Sequence, residues 1–304
     1  MGEWKKEIRA QLIDVRPQRD LDSAVREQLW SGALVKLSSI HAISDDYYRD
    51  LRIFQQHWLK AYCAGYAARK GIVTGRASAY LNDMWVVNTS LDTVCLVLKS
   101  TPPKNQWRDG VHYIKADLGA DDIKRGENMS TTSPYRTFLD IARFDGFEHA
   151  LVAADWLVKF GGFTPVQLQH NIATSKRFRG ITAARLAAQH CSAQPDSAPE
   201  SYARALLIAA GYEDVQANVT ILAGGRRYKV DLLIDGWLVI EIDGLVKYDG
   251  ETYGKTDDVL RKEKWRENDL RNLGKEVLRF PPVELEKHPE RFLATVREAH
   301  NRRK

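Results

Sequence analysis

Cysteine and methionine are scarce, at three each in 304 residues. Cys63, Cys95 and Cys191 are scattered and form no CxxC pair. That excludes a disulfide framework and a cysteine-based zinc site, and a reducing cytoplasm is the expected setting. The eight histidines (41, 57, 112, 149, 170, 190, 288 and 300) make no HxxxH pair and no Cys/His cluster, so zinc hydrolysis has no support. The chain also lacks GxSxG, GxxxxGK[ST] and GxGxxG, which removes the serine-hydrolase, P-loop and dinucleotide-binding readings. No apolar run approaches the roughly 18–20 residues needed to span a bilayer. The opening "MGEWKKEIRAQL" has no apolar signal core, and Lys6 breaks the myristoylation pattern. A protein without a membrane partner is expected.

What is present is ordinary in bulk and uneven in detail. Apolar residues make up 44% and charged residues 28%, the proportions of a globular protein. The length suits about two domains at roughly 100–200 residues each. Net charge is +5, and the segment from Lys255 to Lys304 carries 14 Lys/Arg against 10 Asp/Glu. Such a basic end suits a polyanion, although a solvated helical face accounts for most charge runs.

The expected class is α/β in the α+β sense, in three parts. Residues 1–45 form a partial winged-helix-like segment, with a helix closed by Gly32 and then a short strand. Residues 46–192 form a mixed α+β domain. There "DDYYRDLRIFQQHWLKAYCAGYAAR" reads as one long helix, "TVCLVL" and "GVHYIKA" as strands, and "TTSPYRTFLDIARF" and "FEHALVAADWLVKFG" as helices. Pro134 fits a first helical turn behind Ser133. The stretch "SAQPDSAP", 192–199, has linker chemistry and is taken as the main boundary. Residues 199–304 then read as helix, strand, hairpin, charged helix (Thr256 to Leu273), strand and a final helix after Pro282. Trp58, Trp156 and Trp265 read as core.

The hairpin "VDLLIDGWLVIEIDG", Val230 to Gly244, is the most apolar passage in the chain, yet Asp231, Glu241 and Asp243 interrupt it. Strand alternation puts Glu241 and Asp243 on one face. Asp231 joins them only if the turn at Asp235-Gly236 has three residues, such as a type I turn with Gly236 in a left-handed bulge position. Carboxylates on a half-buried face are costly unless a cation or hydrogen-bond donors compensate. A hard divalent ion, with Lys247 close behind, would supply the parts for phosphodiester hydrolysis. The alternative makes Asp231 a strand entry, Asp243 a turn residue, and Glu241 an ion-pair partner of Arg226 or Arg227.

Residues 199–280 resemble the Vsr-like (very-short-patch-repair-like) branch of the PD-(D/E)xK nuclease superfamily. Glu200 in "SAPESYAR", Gln216 in "VQANV", Asp231, "EIDGLVKY" and "RENDLRNLGKEVLRF" carry the likeness. The resemblance implies a restriction-endonuclease-like αβββαβ core, with Glu200, Asp231 and Glu241 around Mg²⁺ or Mn²⁺. Asp243 stands where the family's lysine usually sits; Lys247 would then be a displaced substitute for it, and Asp243 a further catalytic acid that ligates the metal or supports its ligands. Arg261, Arg266, Arg271 and Arg279 are candidate phosphate contacts, with Gln216 beside them. Ion pairs with Glu263, Glu267 and Asp269 at helical spacing are the alternative. The middle block resembles the AbiEi-type antitoxins of bacterial abortive-infection systems, through "GIVTGRASAYLNDMW", "TTSPYRTFLDIAR" and "ALVAADWLV". That likeness implies a DNA-binding repressor with a cognate toxin. Two readings follow: a metal-dependent DNA endonuclease, acting on duplex, joined to a regulator, or a non-catalytic DNA-binding regulator retaining an inactive nuclease fold.

Overall fold

The computed structural model describes residues 2–16, 23–175, 178–242 and 256–303. Among them the chain is mixed α+β, in two compact units, 1–144 and 145–304. No helix among the described residues is long and apolar enough to cross a membrane.

The first unit opens with α1 (Glu3–Ala10), β1 (Ile13–Asp14), α2 (Ser23–Ser31), β2 (Leu34–Lys36) and β3 (His41–Ser44). The three strands form a sheet in the order β1-β3-β2. This segment holds one helix and two strands beyond the single helix and strand expected. It continues with α3 (Asp45–Asp50), α4 (Ile53–Ala67), β4 (Ile72–Thr74), α5 (Gly75–Leu81), β5 (Val94–Leu98), β6 (Val111–Lys115), β7 (Ile123–Arg125), β8 (Ser130–Thr132) and α6 (Pro134–Phe144). The second sheet runs β6-β5-β4-β8-β7. The expected long helix is in fact two. Leu51 is extended, and Gln55 restarts the helix by accepting from the Arg52 amide at 2.9 Å. The apolar residues of α4 serve two cores: Trp58, Leu59 and Cys63 pack with Ile8 and Ile43, while Ala61 and Ala64 pack with Val73 and Leu96.

The motif "TTSPYRTFLDIAR" has a structural explanation. Asp140, 1% exposed, accepts from the Thr74 hydroxyl at 2.6 Å and from Arg136 Nε at 2.9 Å. Thr137 lies 2.7 Å from the Thr132 hydroxyl and 3.0 Å from Ser78 Oγ. Buried polar groups require partners, and this network ties α6 to β4, β8 and α5. Nearby, His57 Nδ1 lies 2.9 Å from the Tyr80 hydroxyl.

The second unit contains α7 (Gly146–Lys159), α8 (Pro165–Thr174), α9 (Ile181–His190), α10 (Ala198–Ala209), β9 (Val215–Ala223), β10 (Arg226–Ile234), β11 (Leu238–Ile242), α11 (Thr256–Asn272), β12 (Glu276–Phe280), α12 (Pro282–Lys287) and α13 (Pro289–Asn301). Its sheet runs β12-β11-β10-β9; β10 is antiparallel to both neighbours, and β11 and β12 are parallel. Pro289 begins a new helix, so the single final helix expected after Pro282 is two.

The boundary expected at 192–199 falls inside this unit. Asp155 of α7, fully buried, accepts from the Ser192 amide (2.7 Å), the Ser201 hydroxyl (2.7 Å) and Arg204 (3.2 Å). Arg204 also donates to the His190 carbonyl. One buried ion pair thus binds α7, the proline-containing segment and α10 together, and composition alone gave no sign of it. Removing one partner strands the other charge, so Asp155→Ala is expected to destabilise this unit by about 3–5 kcal/mol in urea unfolding.

Burial, helped by Lys60 and Arg76, pushes His57 down to about 4. Its neutral form therefore stabilises the fold above pH 6.5, and that contribution is lost as pH falls from about 6.5 towards 4. The loss is expected to reach up to about 3 kcal/mol. It should be seen as an acid limb in unfolding midpoints that His57→Gln flattens.

Candidate functional site

The turn between β10 and β11 decides which side chains meet. Ile234 pairs with Leu238, leaving Asp235, Gly236 and Trp237 as a three-residue loop. The expected residue count is present, but the turn's hand differs. Asp235 (φ 49) and Gly236 (φ 68) are both left-handed, and the Trp237 amide donates to the Ile234 carbonyl at 3.0 Å. Two left-handed central residues match the twist of a hairpin, and aspartate and glycine tolerate them best. Trp237 is the extra residue, and its carbonyl accepts from the Glu276 amide at 3.1 Å.

Continuing the Leu232↔Ile240 register sets Asp231 opposite Glu241, on the face of Leu233 and Val239. Leu232, Ile234, Leu238 and Ile240 take the other face, each 0% exposed. Glu241 stands beside Arg279 of β12, and the β9–β10 register continues Asp231 to Asn218. A transverse row, Asn218–Asp231–Glu241–Arg279, therefore crosses all four strands. α11 covers part of this face: Leu270 clusters with Leu233 and Val239, and Arg266, one turn earlier, reaches Glu241.

Glu241 is 2% exposed and holds two guanidinium groups. Arg266 donates to Oε1, and Arg279 Nε donates to Oε2 at 3.0 Å. Charge-assisted bonds of this kind are what make a buried carboxylate tolerable. Asp231 Oδ2 accepts the Ile242 amide at 2.8 Å, fastening the end of β11. Glu241 thus pairs with Arg266 and Arg279 rather than with Arg226 or Arg227. Two of the four arginines expected at phosphate positions therefore point into the protein's own acid.

Glu200 meets the row at its other end. It is 8% exposed and accepts from the Ser197 hydroxyl (2.7 Å) and the Asp196 amide (2.8 Å), while Ser197 Oγ caps the Glu200 amide. This reciprocal Ser-x-x-Glu cap is visible in "SAPE", the stretch first assigned to a linker. Asn218 Nδ2 lies 3.4 Å from Glu200 Oε2, and Asn218 has φ 53, a kink asparagine tolerates inside a strand. Lys229, two residues before Asp231, donates to Asp196. That bond, with the charges of Asp196, Glu200 and Asp231, holds its ammonium above the usual lysine range. Neither Lys229 nor Asn218 is among the site residues expected from the sequence.

The remaining expected residues are dispersed. Gln216 is exposed and pairs with Asp214 at 2.9 Å. Arg271 pairs with Glu267 at 3.1 Å, and Arg279 lies 3.9 Å from the same acid. Asp269 instead accepts from the Tyr228 hydroxyl at 2.6 Å, under the Gly224 turn. Arg261 is exposed. Trp265 is not core: it is half exposed, with the Arg226 guanidinium 5.0 Å above its ring. Asp243, Lys247 and the Glu263 side chain lie outside the described residues. Among the described residues, no group of three or more His, Cys, Asp or Glu is placed to hold a metal ion. Asp231 and Glu241 have the oxygen chemistry of a magnesium site, but arginines engage both oxygens of Glu241.

No family model matches the chain, and comparison with curated proteins and with solved structures finds no match.

The cluster's energetics are testable. Removing both Arg266 and Arg279 by alanine substitution leaves Glu241 a buried, uncompensated charge and is expected to cost about 3–5 kcal/mol. Glu241→Gln on the double variant should restore much of that loss in urea unfolding.

Proposed function

We propose that the second unit is a metal-dependent phosphodiesterase domain acting on duplex DNA, with the first unit as a DNA-binding regulator. The observation that carries the reading is the placement of Asp231 opposite Glu241 on one face of a helix–strand–strand–strand–helix–strand unit. Glu200 joins the same row through Asn218. The order of elements matches the αβββαβ core that the nuclease resemblance implies. Asp231 and Glu241 would hold Mg²⁺ or Mn²⁺, which supplies an activated water and neutralises charge on the phosphate. Arg266 and Arg279, when exchanged from Glu241 to a phosphate, would orient the scissile group. Lys229, bonded to Asp196 and within the field of Glu200 and Asp231, would offset developing negative charge.

One observation favours the second reading, a non-catalytic regulator of the antitoxin kind with a toxin protein as partner. Both oxygens of Glu241 are engaged by arginine. In that case the fold grips DNA and the acids serve only to align the arginines.

Incubating plasmid and linear duplex with the whole protein and Mg²⁺ or Mn²⁺ separates the two. The first reading expects cleavage that falls at least about 100-fold in Asp231→Ala and Glu241→Ala. Robust cleavage by these variants overturns it. Metal-independent retention of a duplex fragment, with no cleavage under any metal, establishes the second. Salt dependence is shared by both, because each neutralises backbone phosphates.

A further inference from the structure

The first unit holds a cavity of about 360 Å³ that neither functional reading uses. It lies among α1, α4, the end of α5 and the turn joining β7 to β8. Its volume falls in the range of small-molecule sites. Four cationic side chains line it, Lys5, Arg9, Lys124 and Arg125, against two acids, Asp83 and Glu127.

These charges are not equivalent. Lys5 is only 5% exposed; it donates to Asp83, and its ammonium sits 5.6 and 5.7 Å from the Trp4 and Trp58 rings. That pair is internally balanced and forms part of the site's wall. Arg9 is different. Its guanidinium lies over the Tyr62 ring at 5.8 Å, yet its Nε is buried with no hydrogen-bond partner. A buried donor left unmet is expensive, and such groups in native proteins call for an explanation. Lys124 and Arg125 stand on the opposite wall, exposed, at the end of β7. Setting the Lys5–Asp83 pair aside, Arg9, Lys124 and Arg125 face Glu127 alone, an excess of two positive charges.

We infer that this cavity is a binding site for a phosphate monoester, the phosphate taken by Arg9, Lys124 and Arg125. A monoester carries about −1.5 to −2 at neutral pH, which matches the excess; a single carboxylate or one backbone phosphodiester carries half as much. Guanidinium groups also suit phosphate oxygens geometrically. Arg9 meets the phosphate through the cavity-lining part of its guanidinium, Nε being closed to the cavity, and the Tyr62 side receives the attached organic group. A free nucleotide and the 5′-phosphorylated end of a nucleic-acid strand present this same chemistry.

Calorimetric titration of the whole protein with inorganic phosphate, adenosine 5′-monophosphate and adenosine tests the site. Short single strands with and without a 5′-phosphate identify the source. Saturable binding of the phosphorylated probes, with adenosine and the 5′-hydroxyl strand at least tenfold weaker, is expected. The tighter of the monophosphate and the phosphorylated strand names the natural form. Arg125→Glu, at an exposed position, should weaken binding at least tenfold without lowering the thermal midpoint. Arg9→Met should weaken it similarly and leave the midpoint unchanged or raised, because it removes an orphaned donor; an arginine with a purely structural role would lower the midpoint instead. The inference fails if adenosine binds as well as its monophosphate. It also fails if both variants bind as the parent does, or if no phosphorylated probe binds saturably.

Discussion

A carboxylate with no water around it must be answered by positive charge, and the second unit is arranged about that requirement at Glu241. The residue sits in a strand whose other members, Leu238, Val239, Ile240 and Ile242, are all buried. Two guanidinium groups make its burial tolerable, one from β12 in direct register and one from α11. The consequence reaches beyond the ion cluster. α11 is highly charged and has little apolar surface of its own, so its seat on the sheet rests on Leu270 and Arg266, one turn apart. Asp269 adds a further tie to the sheet by accepting from Tyr228 of β10, while Arg271 pairs with Glu267 along the exposed side.

The pattern recurs twice. Asp140 in the first unit and Asp155 in the second are fully withdrawn from solvent, and each is met by an arginine and by hydroxyl or amide donors. In all three places a buried acid joins elements that apolar packing alone would leave free to slide. Such pairs contribute little net stability against well-packed apolar residues, but losing either half is severe. Their value lies in geometry: the carboxylate accepts from particular donors in particular directions, and only one arrangement of helices and strands satisfies them.

Much of this was readable from residue order. The β10–β11 hairpin follows from two apolar runs around Asp235-Gly236. The sequence leaves open whether its loop has two or three residues; the pairing of Ile234 with Leu238 supplies the three that set Asp231 opposite Glu241. The strands β5, β6 and β12 and the glycine stop of α11 follow from apolar runs and Gly274. What escaped was long-range pairing. "SAQPDSAP" has the composition of a linker, yet Asp155, thirty-odd residues earlier, reaches into it. Nothing in local periodicity connects an acid on α7 with an amide at Ser192. Arg266 and Arg279 were assigned to an external anion because their spacing said nothing about Glu241. The break at Leu51 and Arg52 is hidden because only two extended residues separate α3 from α4 and neither is a glycine or proline.

The arginine–carboxylate cluster also bears on how cutting and gripping would differ on the proposed readings. A guanidinium bonded to a carboxylate keeps the fork geometry that suits a phosphate, so an incoming phosphodiester competes for the same donors. Release of both Arg266 and Arg279 would leave Glu241 uncompensated in a nearly water-free position, a state only another cation could relieve. Anion binding at the arginines and cation binding at the acids would then favour each other, as linkage requires of two ligands that break the same contact. A scaffold that only grips DNA has no need of that second step, since one of the two arginines can remain on Glu241 while the other turns outward. The acid row therefore separates the two readings by whether metal and DNA bind cooperatively, a property set by Glu241's burial rather than by the number of acids near it.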